Sequence, residues 1–319
     1  MLAFSTIAWN GARELIRQPI VLILVTVPSV FMVFMAHVPY LALESESKLI
    51  KDSALAVVFV VGLLAAVFCA SNTLALELRT GTALAVLAKP VGRGKFIIAK
   101  YFGVAMALTL IMYVNILAAL MSSRMAPDIY QAVDPPARWA IISGILLGLA
   151  AGGYTNFFNH RQFVGDAVLG IAFFSTLAVG IACFLSKRWE WQPFGLLTDW
   201  RMLSAGILIL CALLVLAAVA LACSTRLELM PTLAVCSIVF VMGLMTDYLF
   251  GRAAGDGSVI ASIFYAVLPN WQLFWMVDAL EGDRSIPVNY VLRALSYVAC
   301  YLVAALSVAL ALFEDRELS

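Results

Sequence analysis

Long apolar runs, broken by charges or by Pro and Gly, organise this chain. A helix needs about 20 apolar residues to cross roughly 30 Å of hydrocarbon. Eight runs reach that length: 20–43, 54–76, 101–123, 139–158, 167–185, 202–225, 230–250 and 287–313. A ninth stretch, 259–277, is cut by Pro269-Asn270 into pieces too short to cross. Its Tyr265, Trp271, Phe274 and Trp275 suit the headgroup zone. The pattern predicts a pair of interfacial or re-entrant helices within an external segment, 251–286. Ahead of the first run, Phe4, Ile7, Ala8, Ala12, Leu15 and Ile16 recur at helical spacing, with Asn10, Arg13, Glu14, Arg17 and Gln18 between them. That predicts an amphipathic interfacial helix over 1–18 rather than a signal peptide, with Pro19 opening the first span.

Composition agrees with the spans. Hydrophobic residues make up 64% and charged residues 12% of the 319, against about 45–50% and 25% in soluble proteins. Mean hydropathy is +1.00. The expected fold is an all-α polytopic transmembrane bundle of about eight spans, one domain over 1–319. No stretch is long and polar enough for a soluble catalytic domain. The net charge of +1 gives no pointer to nucleic acid. Cys69, Cys183, Cys211, Cys223, Cys236 and Cys300 lie in or beside apolar runs without C-x-x-C spacing and read as small buried hydrophobes. With only His37 and His160, no histidine metal site is expected. No Ser/His/Asp or Cys/His constellation appears, so no catalytic residues are assigned and an enzyme is disfavoured.

One segment differs in character. Residues 77–100 carry five of the twenty Lys and Arg (Arg79, Lys89, Arg93, Lys95, Lys100) against one acid, Glu77, with Gly81, Pro90, Gly92 and Gly94 between them. With the N-terminus inside, the bases divide ten to ten between the two sides. Local density then decides, because positive-inside bias acts close to span ends. Arg13 and Arg17 before the first span agree. The expected topology has 77–100 and both termini in the cytoplasm, in a cell inner membrane.

Gly92-Arg93-Gly94-Lys95 looks superficially like the end of a phosphate-binding loop. That motif needs Gly five residues before its final Gly-Lys pair and Ser or Thr after it; Lys89 and Phe96 stand there instead. Glu77 closes the second span, Gly81-Thr82 breaks direction, and residues 83–88 form a short apolar helix former stopped by Pro90. Arg93 to Lys100 is a cationic lead-in to the third span. Such a helix has two homes, the membrane surface or a partner's groove.

The run resembles the signature of the ABC-2 type permease family, the membrane subunits of a class of ABC exporters. Glu77, Gly81-Thr82, Leu84 to Leu87, Pro90-Val91, Arg93 and Lys100 carry the likeness; Arg79 stands where the family typically has a second acid. The likeness is closest to the branch associated with copper-enzyme maturation and gliding-type systems. The family usually has six spans, and the pair within 139–185 is the candidate addition. The resemblance implies a coupling helix over 80–88, seated in a separate cytoplasmic ATPase subunit. Glu77, Arg79, Thr80, Gly81, Thr82, Leu84, Leu87, Pro90, Arg93, Lys95 and Lys100 would form the contact. It also implies two ATPase copies, which bind the ATP and Mg, and a second permease copy or paralogue, with no cofactor in this chain.

Asp166 and Asp247 lie near span ends, as interfacial carboxylates or as groups of a translocation path. Asn72, Asn115 and Asn156 lie inside spans and favour inter-helix hydrogen bonds over substrate contact. Asn72, Asn115, Asp166 and Asp247 are the candidate path residues. Gly144, Gly148 and Gly152 make a double GxxxG face for close packing within the subunit or across a dimer. Lys187-Arg188-Trp189-Glu190-Trp191 has the chemistry of a headgroup anchor, so membrane lipid is an expected partner. Competing functions are an ATP-independent secondary transporter and a non-transporting scaffold of a maturation or motility complex.

Overall fold

The computed structural model describes residues 2–37, 46–80, 92–125, 134–277 and 287–314. Every named element among them is helical. The helices are α1 (Leu2–Ile16), α2 (Pro19–Met35), α3 (Glu46–Thr80), α4 (Arg93–Met125), α5 (Pro135–Asn159), α6 (Phe163–Ala182), α7 (Arg201–Ser224), α8 (Leu229–Leu244), α9 (Val259–Val267) and α10 (Val288–Glu314). A π turn, Asp247–Gly251, and one helical turn, Arg252–Gly255, follow α8. Among the described residues, six helices are long and apolar enough to cross a membrane, or up to eight if each of two bent pairs counts as one span. The protein is therefore a multi-span helical membrane protein.

The amphipathic N-terminal helix is present as α1. Ala8, Ala12 and Leu15 are buried while Asn10, Arg13 and Glu14 face outward. It meets α2 at 62°. Several helices run beyond their expected spans. No Pro or Gly lies between Glu46 and Val61, so α3 begins two turns before the 54–76 run and carries Lys48 and Lys51. The third span likewise starts at Arg93, so Arg93 to Lys100 forms the first turns of α4 rather than a lead-in. The 33 residues of α4 reach about 50 Å, longer than a roughly 30 Å hydrocarbon core.

The seventh span is shorter than expected. It bends by 60° after Leu244 instead of running to residue 250. Gly243 sits at the bend and allows a close approach there: a Cβ on it would stand 2.5 Å from Pro269 O and from Trp271 Cδ1. The segment after α9 presses on the helix at that point. Gln272 Nε2 then donates to Leu244 O at 2.8 Å, meeting a carbonyl at the helix end. Trp271 itself is buried.

α4 is the centre of the bundle and touches α1, α2, α3, α5, α6, α7 and α10. About 72% of its most apolar window is buried, against 11% for α10. α5 and α6 pack chiefly on each other and join the bundle through α4 and α2. Their contact uses the glycine face. A Cβ at Gly144 would lie 2.6 Å from Ser175 Cα, one at Gly148 2.5 Å from Ile171 Cα, and one at Gly152 2.7 Å from Ala167 Cβ. The double GxxxG thus serves packing within the subunit.

The helix ends sort into two groups. Lys51 with Asp199, His37 with Arg138, and Arg124 with Asp134 mark one end. Arg93 with Glu314, Arg226 with Leu312, and Arg17 beside Gly165 mark the other. α1 packs on the start of α4 through Phe4 and Phe102, whose ring centroids are 5.6 Å apart. α1 and the end of α10 therefore share the Arg93 end.

Candidate functional site

The site is the Arg93 end of the bundle, where α3 runs out at Thr80 and α4 begins. Glu77, Arg79 and Thr80 occupy the last helical turn of α3. Gly81, Thr82, Leu84, Leu87 and Pro90 lie outside the described residues, as does most of 80–88. What the structure describes is the platform on which that segment is mounted.

Gly92 starts α4: its carbonyl accepts from Phe96 N at 3.1 Å. Arg93 Nη1 donates to Glu314 O at 2.9 Å, and Arg226 Nε to Leu312 O at 3.1 Å. Both cations therefore cap the carboxyl end of α10, where the helix dipole is negative. Beneath them the Phe96 and Phe313 rings stack with centroids 6.0 Å apart. Lys100 is buried two turns into α4, its Nζ 5.7 Å from the Phe96 ring centroid. Lys95 is exposed. The basic segment is thus divided: Arg93 and Lys100 serve the bundle's own contacts and Lys95 faces outward. Behind this platform, Ser71 Oγ and Ser224 Oγ lie 3.1 Å apart and tie α3 to α7. Tyr101 Oη donates to Leu214 O at 3.2 Å and ties α4 to α7.

The four candidate path residues are not brought together. Asn72 donates to Phe68 O in its own helix at 3.1 Å. Asn115 is fully buried, and its Nδ2 donates to Leu24 O of α2 at 3.1 Å and to Ile111 O at 2.9 Å. Pro28 lies inside α2 and has no N–H, so the Leu24 carbonyl lacks its helical donor. Asn115 supplies that donor. Asp166 sits in the first turn of α6, 3.3 Å from Arg161 Nε. Asp247 opens the π turn beyond α8 and accepts from Tyr265 Oη and Asn270 Nδ2, both at 2.9 Å. Asn156 closes the end of α5 by donating to Arg161 O at 2.8 Å.

Two arrangements at the opposite end were not anticipated. Arg124 Nε meets Asp134 Oδ2 at 2.8 Å with both side chains almost fully buried. Its Nη1 and Nη2 donate to Ala182 O and Leu185 O at 2.7 and 2.6 Å, at the carboxyl end of α6. Asp134 also accepts from Ala137 N at 3.1 Å as the N-cap of α5. The sequence signal was available: an Asp directly before Pro135-Pro136 is a helix-start pattern. The second is Asp199, which accepts from Lys51 Nζ at 2.7 Å and Arg201 Nε at 2.9 Å. Burial opposes its charged form, but the bonds from Arg201 and Lys51 outweigh burial and hold the carboxyl below its ordinary value.

Among the described residues, no group of three or more His, Cys, Asp or Glu could hold a metal ion. The described cysteines are all free. A scan against protein-family models finds no match to this chain, and a search of curated proteins finds no significant relative.

Proposed function

We propose that this chain is the membrane permease subunit of an ABC-2 type exporter, driven by a separate cytoplasmic ATPase. The observation that carries the reading is the pattern of residues 77–100: Glu77, Gly81-Thr82, a short apolar helix former, Pro90-Val91, Arg93 and Lys100. The 80–88 stretch is the coupling helix in this reading, with Leu84 and Leu87 filling the partner's groove. Two ATPase copies bind ATP and Mg and close on each other, and two permease chains tilt in response. This chain holds neither nucleotide nor metal and catalyses nothing itself.

The shared placement of α1, the start of α4 and the end of α10 supports the topology. All three face the cytoplasm in this reading, and the membrane is the inner membrane. α1 lies in the interface, and the segment from Asp247 to Val277 forms the external helical pair before the last span. The α5–α6 hairpin, packed mainly on itself, is the addition to a six-span core.

The test is whether the tagged full chain, extracted in detergent from its native membrane, brings down an ATP-hydrolysing subunit. Leu84→Asp with Lys95→Glu is expected to abolish that association while the chain still inserts. Arg93 is left unchanged because it caps α10. Survival of the complex in the double variant would show that docking lies elsewhere.

A further inference from the structure

A groove of about 280 Å³ runs between α2 and α5 at the Arg124 end. Val30 and Phe34 of α2 and Ile141 and Ile142 of α5 form its apolar walls, and His37 and Arg138 lie at its mouth. Val30 and Phe34 are exposed, so the groove opens sideways to the surrounding lipid. Its volume falls below the roughly 300–1,000 Å³ of pockets that enclose soluble ligands. A single chain of methylenes suits it better.

The mouth has the opposite chemistry. Arg138 stands in the first turn of α5, its guanidinium carbon 5.6 Å from the ring centroid of Trp139. A basic residue beside an exposed Trp marks headgroup depth. Arg138 Nη1 donates to His37 Nε2 at 3.0 Å, and His37 Nδ1 lies 3.4 Å from Val33 O. These bonds together assign the ring proton to Nδ1 and make Nε2 the acceptor. The Nε of Arg138 is buried and has no acceptor. Asp134, one turn earlier, is engaged by Arg124, and no carboxylate among the described residues forms an ion pair with Arg138. Among the described residues, then, a cation with no carboxylate paired to it stands over an apolar slot open to the bilayer.

We propose that this groove binds an anionic phospholipid, with an acyl chain between α2 and α5 and the phosphate accepting from Arg138. The site lies at the end of the bundle opposite the proposed ATPase platform and does not depend on that reading. One basic residue at an anionic lipid surface corresponds to about a fivefold preference.

The test uses the full chain in vesicles mixing phosphatidylcholine and phosphatidylglycerol, with one or the other brominated. Bromine quenches nearby tryptophan, and subtracting the signal of Trp139→Phe isolates Trp139. Brominated phosphatidylglycerol is expected to quench Trp139 about fivefold more effectively, mole for mole, than brominated phosphatidylcholine. Arg138→Gln is expected to bring the two lipids to parity. Val30→Phe, which narrows the slot and leaves the mouth intact, is expected to lower the preference as well. Equal quenching in the unsubstituted protein overturns the proposal, and so does a preference that survives Arg138→Gln. A preference that withstands Val30→Phe but is removed by excess inorganic phosphate also overturns it, because the site would then be for free phosphate.

Discussion

Asn115 sits in the most buried helix, and replacing it by Leu is predicted to show why. Its amide completes the Leu24 carbonyl that Pro28 leaves without a donor. Its other bond, to Ile111 O, stays within α4 and adds little. Its Oδ1 is buried with no partner, which costs free energy in the native state. Two effects therefore oppose each other in Asn115→Leu. Orphaning the Leu24 carbonyl costs about 1–3 kcal/mol in a protein interior, and measured intramembrane pairs average about 0.6. Removing the unpartnered Oδ1 gives part of that back. The expected net loss is about 1 kcal/mol. Pro28→Ala restores an N–H that bonds Leu24 O inside α2. In that background the orphaning term disappears and only the relief remains, so Asn115→Leu becomes neutral or stabilising. The coupling between the two substitutions is about 1 kcal/mol or more. Equilibrium unfolding of the four proteins of this cycle in mixed micelles measures it. Additive effects, within about 0.3–0.5 kcal/mol, would refute the proline–asparagine account.

Three further outcomes are predicted. Arg124→Met strips donors from Asp134, Ala182 O and Leu185 O and leaves a buried carboxylate; it is expected to cost about 3–5 kcal/mol. Asp134→Asn, with its oxygen kept on Ala137, turns an amide donor toward Arg124 Nε and leaves a buried cation, so a loss of the same order, about 3–5 kcal/mol, is expected; a loss below about 1 kcal/mol for either variant in the same unfolding assay would contradict the buried pairing. Gly148→Leu drives a side chain into the backbone of Ile171, whereas a Cβ added at Gly153 of the same helix meets no other group within 4 Å. Folded yield by size exclusion is therefore expected to collapse for Gly148→Leu and to hold for Gly153→Leu. Asp199 has a lowered carboxyl pKa, so its contribution to stability is full above the ordinary value of 3.8 and is lost as pH falls through the depressed one. Thermal melts across that acid range should show the loss, and Asp199→Asn should flatten it.

Much of the bundle could be read from residue order alone, because a membrane span is set by length and apolarity and both are local. The glycine triplet of α5 was equally plain, since residues four apart share a helix face. Its partner was not, because nothing in that triplet points to Ser175, Ile171 and Ala167. The bend after Leu244 coincides with Trp271 and Pro269 pressing on Gly243, contacts that no spacing rule contains. Arg124 stands just past the 101–123 run, and residue order alone does not show its burial against Asp134. Arg93 and Lys95 looked alike in a cationic run. Only the position of α10 separates the one that caps a helix from the one that faces outward. The Pro28–Asn115 pair lay in between: an internal proline announces an unpaired carbonyl, and the donor had to come from another span.

The central position of α4 bears on how the chain is made. Synthesis runs from the N-terminus and membrane helices enter one after another. α4 therefore arrives long before most of the partners that complete it. Asn115 finds Leu24 at once, because α2 is already in place. Tyr101 waits for α7 to bring Leu214, and Phe96 and Arg93 wait for Phe313 and Glu314. A nascent chain halted before α10 holds an unfinished axle whose Arg93 has not yet met the carbonyl of Glu314. Membrane quality control that senses polar groups without partners would meet that state in every newly made copy until the last helix arrives.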